Sequence, residues 1–392
     1  MPRLVLRHLR IVGWEREVGD GYIVIKNGYI EEIGVEPAGR IYGDEMSLRG
    51  YIAVPGYIDT HTHGIGGMDP LAKPDPYVLL EISRLYARHG VTGFLPSTVS
   101  MPPDSITEFC RSLRDAISMW RPENGSRILG AHLEGPYINP EYAGAHDPRF
   151  IRSPSLEEFR SYVDACGGYL RQITIAPEIR GSEDIMRFSR KVGVVVSAGH
   201  TGASYEEGLW AIGLGVSKAT HIFNAMRRIH HRDPGIALAL LQSSSIYIET
   251  IPDLVHLHRA VLKLVIDIAG PERIVLVSDS ISAAGMPDGI YSLGGLEVEV
   301  REGVCRLRGR DTIAGSVLTL DRGVFNVVGL GYSLREAVMM ASTTPARSIG
   351  LLHRGGVGAI EPGYAADIAI LDNSLRVVKT LVMGVEVYSR EG

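Results

Sequence analysis

Histidines and acids close the apolar runs of this chain, and these are the residue types that ligate divalent metals or move protons. His61 and His63 lie in Pro55-Gly56-Tyr57-Ile58-Asp59-Thr60-His61-Thr62-His63-Gly64. Glu134 ends Arg127-Ile128-Leu129-Gly130-Ala131-His132-Leu133, and His200 follows Val194-Val195-Val196-Ser197-Ala198-Gly199. His221 follows Val216-Ser217-Lys218-Ala219-Thr220, and Asp279 follows Ile274-Val275-Leu276-Val277-Ser278. Strand side chains two positions apart share a face, so His61 and His63 can grip one ion from the same side. A carboxylate in the Glu134-Gly135-Pro136 turn is costly to bury without a compensating cation. Taken singly, Glu134 reads equally as a salt-bridged strand end, and His200 or His221 as a satisfied core histidine. Together they match a hydrolytic metal set with a position open for water. Asp279 is then the proton carrier for a water whose pKa the metal lowers, or a further ligand.

Three other segments carry weaker signals. His146, in Gly144-Ala145-His146-Asp147-Pro148, sits on the loop after Glu134 and is placed to reach a reacting carbonyl; a surface histidine is the plain alternative. Asn224-Ala225 follows His221 closely enough to hydrogen-bond a substrate. Arg227-Arg228-Ile229-His230-His231-Arg232 is a basic loop suited either to an anion such as phosphate or to solvent.

Barrels of parallel strands collect their strand ends at one mouth, which makes them the natural frame for such a set. Residues 1–54 read as short strands, with Asn27-Gly28 a two-residue hairpin turn. From Pro55 apolar strands alternate with helical stretches, for example 77–88 then 91–96, 183–192 then 194–197, and 254–268 then 274–277. The segment 291–307 looks like a hairpin insert, 333–350 like the last helix with Thr343-Thr344-Pro345-Ala346 inside or breaking it, and 363–372 and 377–387 like strands that return to the N-terminal ones. The expected fold is α/β: a (β/α)8 TIM-like barrel over 55–350 with a β-hairpin insert near 290–312, flanked by a small β-sandwich module from 1–54 and 351–392.

Bulk properties exclude several classes. The chain has 392 residues, 45% hydrophobic and 22% charged, with a net charge of −5 that offers no basic footprint for nucleic acid. Cys110, Cys166 and Cys305 lie far apart without a CxxC pair, suggesting neither a disulfide framework nor a thiolate zinc site. Met1-Pro2-Arg3-Leu4-Val5-Leu6-Arg7 lacks the apolar core of a leader, and no stretch approaches membrane-span length, so a cytoplasmic protein without membrane contact is expected.

Over nearly its full length the chain resembles the N-acetylglucosamine-6-phosphate deacetylases of the amidohydrolase superfamily. The resemblance rests on the His-x-His segment, His132-Leu133-Glu134-Gly135-Pro136-Tyr137, Gly144-Ala145-His146, Ala176-Pro177-Glu178, Ala198-Gly199-His200-Thr201, Thr220-His221-Ile222-Phe223-Asn224-Ala225-Met226, Val277-Ser278-Asp279 and Ile313-Ala314-Gly315-Ser316. It implies that Glu134, His200 and His221 hold one ion, and that His61 and His63, with the shared glutamate, build a second site. One or two divalent ions, zinc or iron, are thus implied, with Asp279 as acid and base. Ala145, His146, Asn224, Ala225 and Ile313-Ala314-Gly315 are implied around the sugar. Arg232 and His256 are implied at the phosphate, the arginine reaching a neighbouring subunit of a homodimer. Where the family has an Asp-Gly pair this chain has Ile251-Pro252-Asp253-Leu254-Val255-His256, and His258 is an alternative counterpart. The implied reaction is hydrolysis of N-acetylglucosamine 6-phosphate to glucosamine 6-phosphate and acetate. The rivals are a cyclic amidase or deaminase of the same superfamily and a non-catalytic scaffold. Many cyclic amidases use a carboxylated lysine, and none of the six lysines here ends a strand between Glu134 and His200. A scaffold would not keep its ligand positions intact.

Overall fold

The computed structural model describes residues 3–37, 39 and 41–390, which leaves the first two residues of the strand-like start outside it. The N-terminal part forms β1 (Leu4–Val12), β2 (Glu17–Lys26), β3 (Tyr29–Val35), β4 (Asp44–Ser47) and β5 (Ile52–Pro55). Asn27 and Gly28, with φ of 54° and 83°, turn β2 into β3 and pair Lys26 with Tyr29. Both central residues of such a turn need the left-handed region, which this dipeptide tolerates.

Strands and helices then alternate: β6 (Tyr57–Thr62), α1 (Pro76–Ala87), β7 (Val91–Pro96), α2 (Pro103–Met119), β8 (Arg127–Ile128), β9 (Ala131–Glu134), α3 (Leu156–Ala165), β10 (Leu170–Ile175), α4 (Ser182–Val192), β11 (Val195–Ala198), α5 (Tyr205–Leu214), β12 (Val216–Ala219), α6 (Gly235–Gln242), β13 (Tyr247–Thr250), α7 (Arg259–Ala269) and β14 (Ile274–Leu276). β6, β7 and β8 form one parallel sheet, and β9 to β14 pair consecutively in another. β6, β7 and β9 are buried at every position, including the polar Asp59, Thr60 and His61 of β6 and His132 and Glu134 of β9. Backbone hydrogen bonds continue past the sheets. Thr98 N donates to His132 O at 2.9 Å, Asp279 N to His61 O at 2.9 Å, and His63 N to Ser280 O at 2.7 Å. The helices lie outside and turn one apolar stripe inward: α2 buries Ile106, Phe109, Leu113 and Ala116, and α7 buries Leu262, Val265, Ile266 and Ala269.

Two expected elements are corrected. The insert is a three-stranded antiparallel meander, β15 (Gly289–Leu293), β16 (Leu296–Arg301) and β17 (Val304–Leu307), not a hairpin. Its second turn places Glu302 at φ 51° before Gly303, a non-glycine left-handed position that turn propensity marks weakly. The last helix over 333–350 is preceded by an unexpected one, α8 (Leu320–Gly329), and of the two alternatives for 343–346 the structure takes the break: α9 (Leu334–Val338), a π turn (Met339–Thr343) and α10 (Thr344–Ser348). Pro345 is the physical reason: it lacks an N–H and its ring crowds the preceding turn, and the wider π turn accommodates it.

The tail forms β18 (Ile368–Leu371), β19 (Val377–Val382) and β20 (Val385–Ser389), and β18 joins β5. One eight-stranded sheet results, ordered β20-β19-β18-β5-β1-β2-β3 with β4 beside β1. It has its own core around Leu6, Leu9, Ile11, Ile23, Ile368 and Leu381. Among the described residues no helix is long and apolar enough to cross a membrane.

The cysteine expectation is also corrected. Cys110 of α2 and Cys166 just after α3 form a disulfide, with Cα atoms 4.5 Å apart and a separation of 56 positions in sequence. No spacing signal marks the pair; packing of α2 on α3 brings the two buried side chains together. Thiol titration of the unfolded, unreduced chain is expected to find one thiol, Cys305, and three after reduction. Three thiols before reduction would dissolve the bridge.

Candidate metal centre

Each predicted metal ligand, and Asp279 with them, stands at or just beyond a strand's C-terminal end. His61 lies near the end of β6 and Glu134 is the last residue of β9, while His200, His221 and Asp279 follow β11, β12 and β14. His200, His221 and Asp279 have φ of 49°, 27° and 47°. Non-glycine residues hold this left-handed region at a cost of roughly 1–3 kcal/mol each, a strain typical of functional sites.

The side chains converge on the Glu134 carboxylate. Its Oε1 lies 3.0 Å from His221 Nε2, 3.1 Å from His200 Nε2 and 3.4 Å from His61 Nε2. Its Oε2 lies 3.4 Å from Nε2 of both His63 and His146. Asp279 Oδ1 lies 3.1 Å from His63 Nε2 and 3.5 Å from His61 Nε2. All of these residues are buried.

Partners on the far side of each ring assign the tautomers. His61 Nδ1 faces Glu249 Oε2 at 3.2 Å, His63 Nδ1 faces Ser97 O at 3.1 Å, and His200 Nδ1 faces Tyr142 O at 2.9 Å. Each acceptor takes an Nδ1 proton, so Nε2 is the nitrogen turned toward the carboxylates and the one that can offer a lone pair to an ion. His200 Nε2 and His221 Nε2 are 3.2 Å apart, and His61 Nε2 is buried with no hydrogen-bond partner. Lone pairs aimed at one another and at two carboxylates are reconciled by a cation, and this donor chemistry fits a divalent metal. Two sets have ligand atoms within 4.8 Å of one another: Glu134 with His200 and His221, and Asp279 with His61 and His63.

His146 has the opposite polarity. Ser100 N donates to its Nδ1 at 2.8 Å, so its proton sits on Nε2 and points at Glu134. It is a hydrogen-bond donor to the site rather than a lone-pair ligand.

Electrostatics agree. Burial opposes charge on His61 and His63, yet Glu134 and Asp279 outweigh it, raising His61 well above the imidazole range and His63 to about 9. Burial would raise the two carboxyls, but the histidines, His61 foremost, hold Glu134 well below its usual range and Asp279 below its own. Burial, and next to it His200, pushes His146 down to about 4, so it stays neutral at pH 7. The carboxylates draw positive charge into the space between them.

A cavity of about 310 Å³ opens above this cluster. Ala145, His146, Asn224, Ala225, His256, Ile313 and Gly315 line it, and Ala314 is buried between the last two. Gly315 has φ 58°, and a Cβ there would stand 2.5 Å from Ile281 and 2.9 Å from Asp279 O, so the turn against Asp279 requires glycine. His256 reaches the cavity, its Nδ1 2.7 Å from Asp253 Oδ2, whereas His258 caps the exposed start of α7. Arg232 is not brought to the cavity of its own chain: it is exposed and lies against His231.

Sequence reasoning passed over Glu249, Lys218, Gln172 and Thr60, a fully buried polar group behind His61. Glu249 carries the same signal as Glu134, an acid closing the apolar run Ile246-Tyr247-Ile248. Lys218 lies inside a strand and carries none.

Comparison with known proteins agrees with this geometry. The amidohydrolase family model matches residues 52–387. An N-acetylgalactosamine-6-phosphate deacetylase of Escherichia coli O157:H7 is 35% identical over 97% of this chain and 98% of its own length. An N-acetylglucosamine-6-phosphate deacetylase of Vibrio furnissii is 35% identical over 88% of this chain and 85% of its own. Among solved structures, a mutant N-acetyl-D-glucosamine-6-phosphate deacetylase of Mycobacterium smegmatis, in complex with N-acetyl-D-glucosamine-6-phosphate, superposes with a TM-score of 0.92 at 33% identity, covering 99% of this chain and 100% of that one. With its strand-end cluster and its full-length similarity, the chain belongs to the amidohydrolase family, among the N-acetylglucosamine-6-phosphate deacetylases.

Proposed function

We propose that the chain hydrolyses the acetamide of N-acetyl-D-glucosamine 6-phosphate, giving D-glucosamine 6-phosphate and acetate. The observation that carries this is the Glu134 carboxylate lying between two histidine pairs, with Asp279 beside it lining the cavity. Glu134, His200 and His221 would hold one divalent ion, and His61 and His63 with Asp279 and Glu134 a second. A nitrogen-rich donor set suits zinc or iron better than magnesium or calcium. Such an ion supplies a lowered water pKa and polarises the acetyl carbonyl.

The remaining steps fall to the protein's own groups. Asp279, ionised and beside His63, accepts a proton from the attacking water and returns it to the departing amine. His146, neutral with its proton on Nε2, donates to the acetyl oxygen or a neighbouring hydroxyl as charge develops. Ala145, Asn224, Ala225 and the Ile313-Ala314-Gly315 turn shape the sugar pocket, and His256 meets the phosphate, giving orientation at a distance from the bond cut. Arg232, exposed on the loop after β12, is read as reaching the phosphate of a neighbouring subunit in a homodimer. Its exposure at the same end of the strands supports that reading. The hydrogen bonds from Thr98 to His132 and between His61 and Asp279 support a closed (β/α)8 barrel over 55–350, with the terminal sheet from 1–54 and 351–392 as its flanking β-sandwich module. A phosphorylated sugar does not cross membranes unaided, which supports a cytoplasmic place of action.

Acetate release is the deciding assay. Metal-loaded enzyme is expected to release acetate from the 6-phosphorylated sugar well above the free sugar, and a chelator is expected to abolish it; the galacto epimer belongs in the same panel. Release indifferent to chelator would remove the metal from the reaction. Asp279→Asn is expected to lower kcat by roughly 10²–10⁴-fold, the usual worth of a general acid–base group. Near-normal turnover in that variant would take the proton transfers away from Asp279. His63, raised to about 9, must lose its proton to ligate, so ion uptake at pH 7 is expected to release protons and to weaken as pH falls. Calorimetry in two buffers of different ionisation enthalpy reads this directly, and identical heats would exclude His63 from the ligands.

A further inference from the structure

Behind His61 the barrel encloses a charge pair that makes no contact with the cavity. Lys218 of β12 and Glu249 of β13 are both fully buried, with Nζ 2.8 Å from Oε1. Lys218 also donates to Gln172 Oε1 and to Thr60 Oγ1, each at 2.9 Å, so all three of its protons are used. Gln172 Nε2 returns a hydrogen bond to Glu249 Oε1 at 3.0 Å, which settles the orientation of that amide. The other carboxylate oxygen, Oε2, faces His61 Nδ1 at 3.2 Å and the backbone N–H of His221 at 3.4 Å.

A buried ion pair is a poor source of stability, because desolvation offsets its Coulomb attraction and apolar residues of like volume do as well. Stability therefore does not explain this group, and its connections point elsewhere. The Lys218 ammonium and both Glu249 oxygens are matched, and the outward contacts of Glu249 go to His61 and His221, one from each ligand set. With Nδ1–H committed to Glu249, His61 Nε2 is the nitrogen left for an ion, and it has no hydrogen-bond partner. It faces Glu134 and Asp279, at 3.4 and 3.5 Å. The committed Lys218 amine is also unable to serve as a carboxylated lysine ligand, and Glu134, between both histidine pairs, would take that place.

We infer that Glu249, held by Lys218 and Gln172, is a positioning residue that fixes the His61 tautomer and aims its lone pair into the site formed with His63 and Asp279. Binding of the second ion thus depends on a charge pair that never touches it. The inference rests on the two-ion reading of the centre. Partners of metal-ligating histidines typically contribute roughly 10–100-fold to metal affinity, and that is the size of effect expected here.

The test dialyses metal-free wild type, Glu249→Gln and the charge-balanced double variant Glu249→Gln/Lys218→Met against graded cobalt(II), measuring ions per chain and the visible cobalt spectrum. The double variant guards against misfolding caused by an unpaired Lys218, and circular dichroism verifies its fold. Wild type is expected to take up two ions per chain. Both variants are expected to keep one ion with the spectrum of the Glu134, His200 and His221 set, and to bind the second about 10–100-fold more weakly. Two ions bound by the folded double variant with unchanged affinity would overturn the assignment while leaving the two-ion reading intact. A wild type that binds a single ion, indifferent to His61→Ala, would overturn the two-ion reading and this assignment with it.

Discussion

The structure depends on one buried carboxylate. Glu134 presents two oxygens to five imidazole nitrogens at 3.0–3.4 Å, in a place nearly closed to water. Taking a charge out of water costs several kcal/mol unless opposite charge and hydrogen bonds answer it. The strand ends are arranged as that answer, with five imidazoles around the carboxylate, Asp279 beside His61 and His63, and a cavity over the cluster. The left-handed turns at His200, His221 and Asp279 carry strain that burial of the surrounding strands offsets.

The rings are oriented from behind rather than from within the site. His63 and His200 are tied to backbone carbonyls of Ser97 and Tyr142, His61 to Glu249, and His146 accepts from the backbone of Ser100. Backbone anchors in packed elements hold a ring more rigidly than long side chains do, so ligand and donor roles are separated before any substrate arrives. The difference between His146 and its neighbours is one of proton position, not of residue type. A depressed pKa keeps His146 a neutral donor, while His61 and His63 sit in a field that favours positive charge. One cavity thereby holds groups suited to binding a cation, moving a proton and donating a hydrogen bond.

Much of this was legible along the chain because strands buried on both faces leave long apolar runs, and a polar residue that ends such a run stands out. That rule located His61, His63, Glu134, His200, His221 and Asp279, and the structure gathers all six. Applied to Ile246-Tyr247-Ile248, it would also have located Glu249. Lys218 escaped because it lies within a strand, where a lysine ordinarily marks a solvent face, and only its tertiary neighbours show that it is buried. The Cys110–Cys166 bridge escaped because helix-to-helix packing, not spacing, sets which cysteines meet. The third insert strand and the broken last helix turned on backbone details, a left-handed Glu302 and a π turn before Pro345, that propensity records weakly.

The amino-acid sequence alone determined the residue inventory, the alternation of strand and helix, and the family, because periodicity and long contiguous motifs are local properties. Tertiary structure decided what is nonlocal. It showed that His256 rather than His258 reaches the cavity, that Arg232 lies outside the cavity of its own chain, and which nitrogen of each ring faces the carboxylates. Those outcomes depend on the acceptors that distant strands and loops bring against each side chain, and no spacing along the chain encodes them.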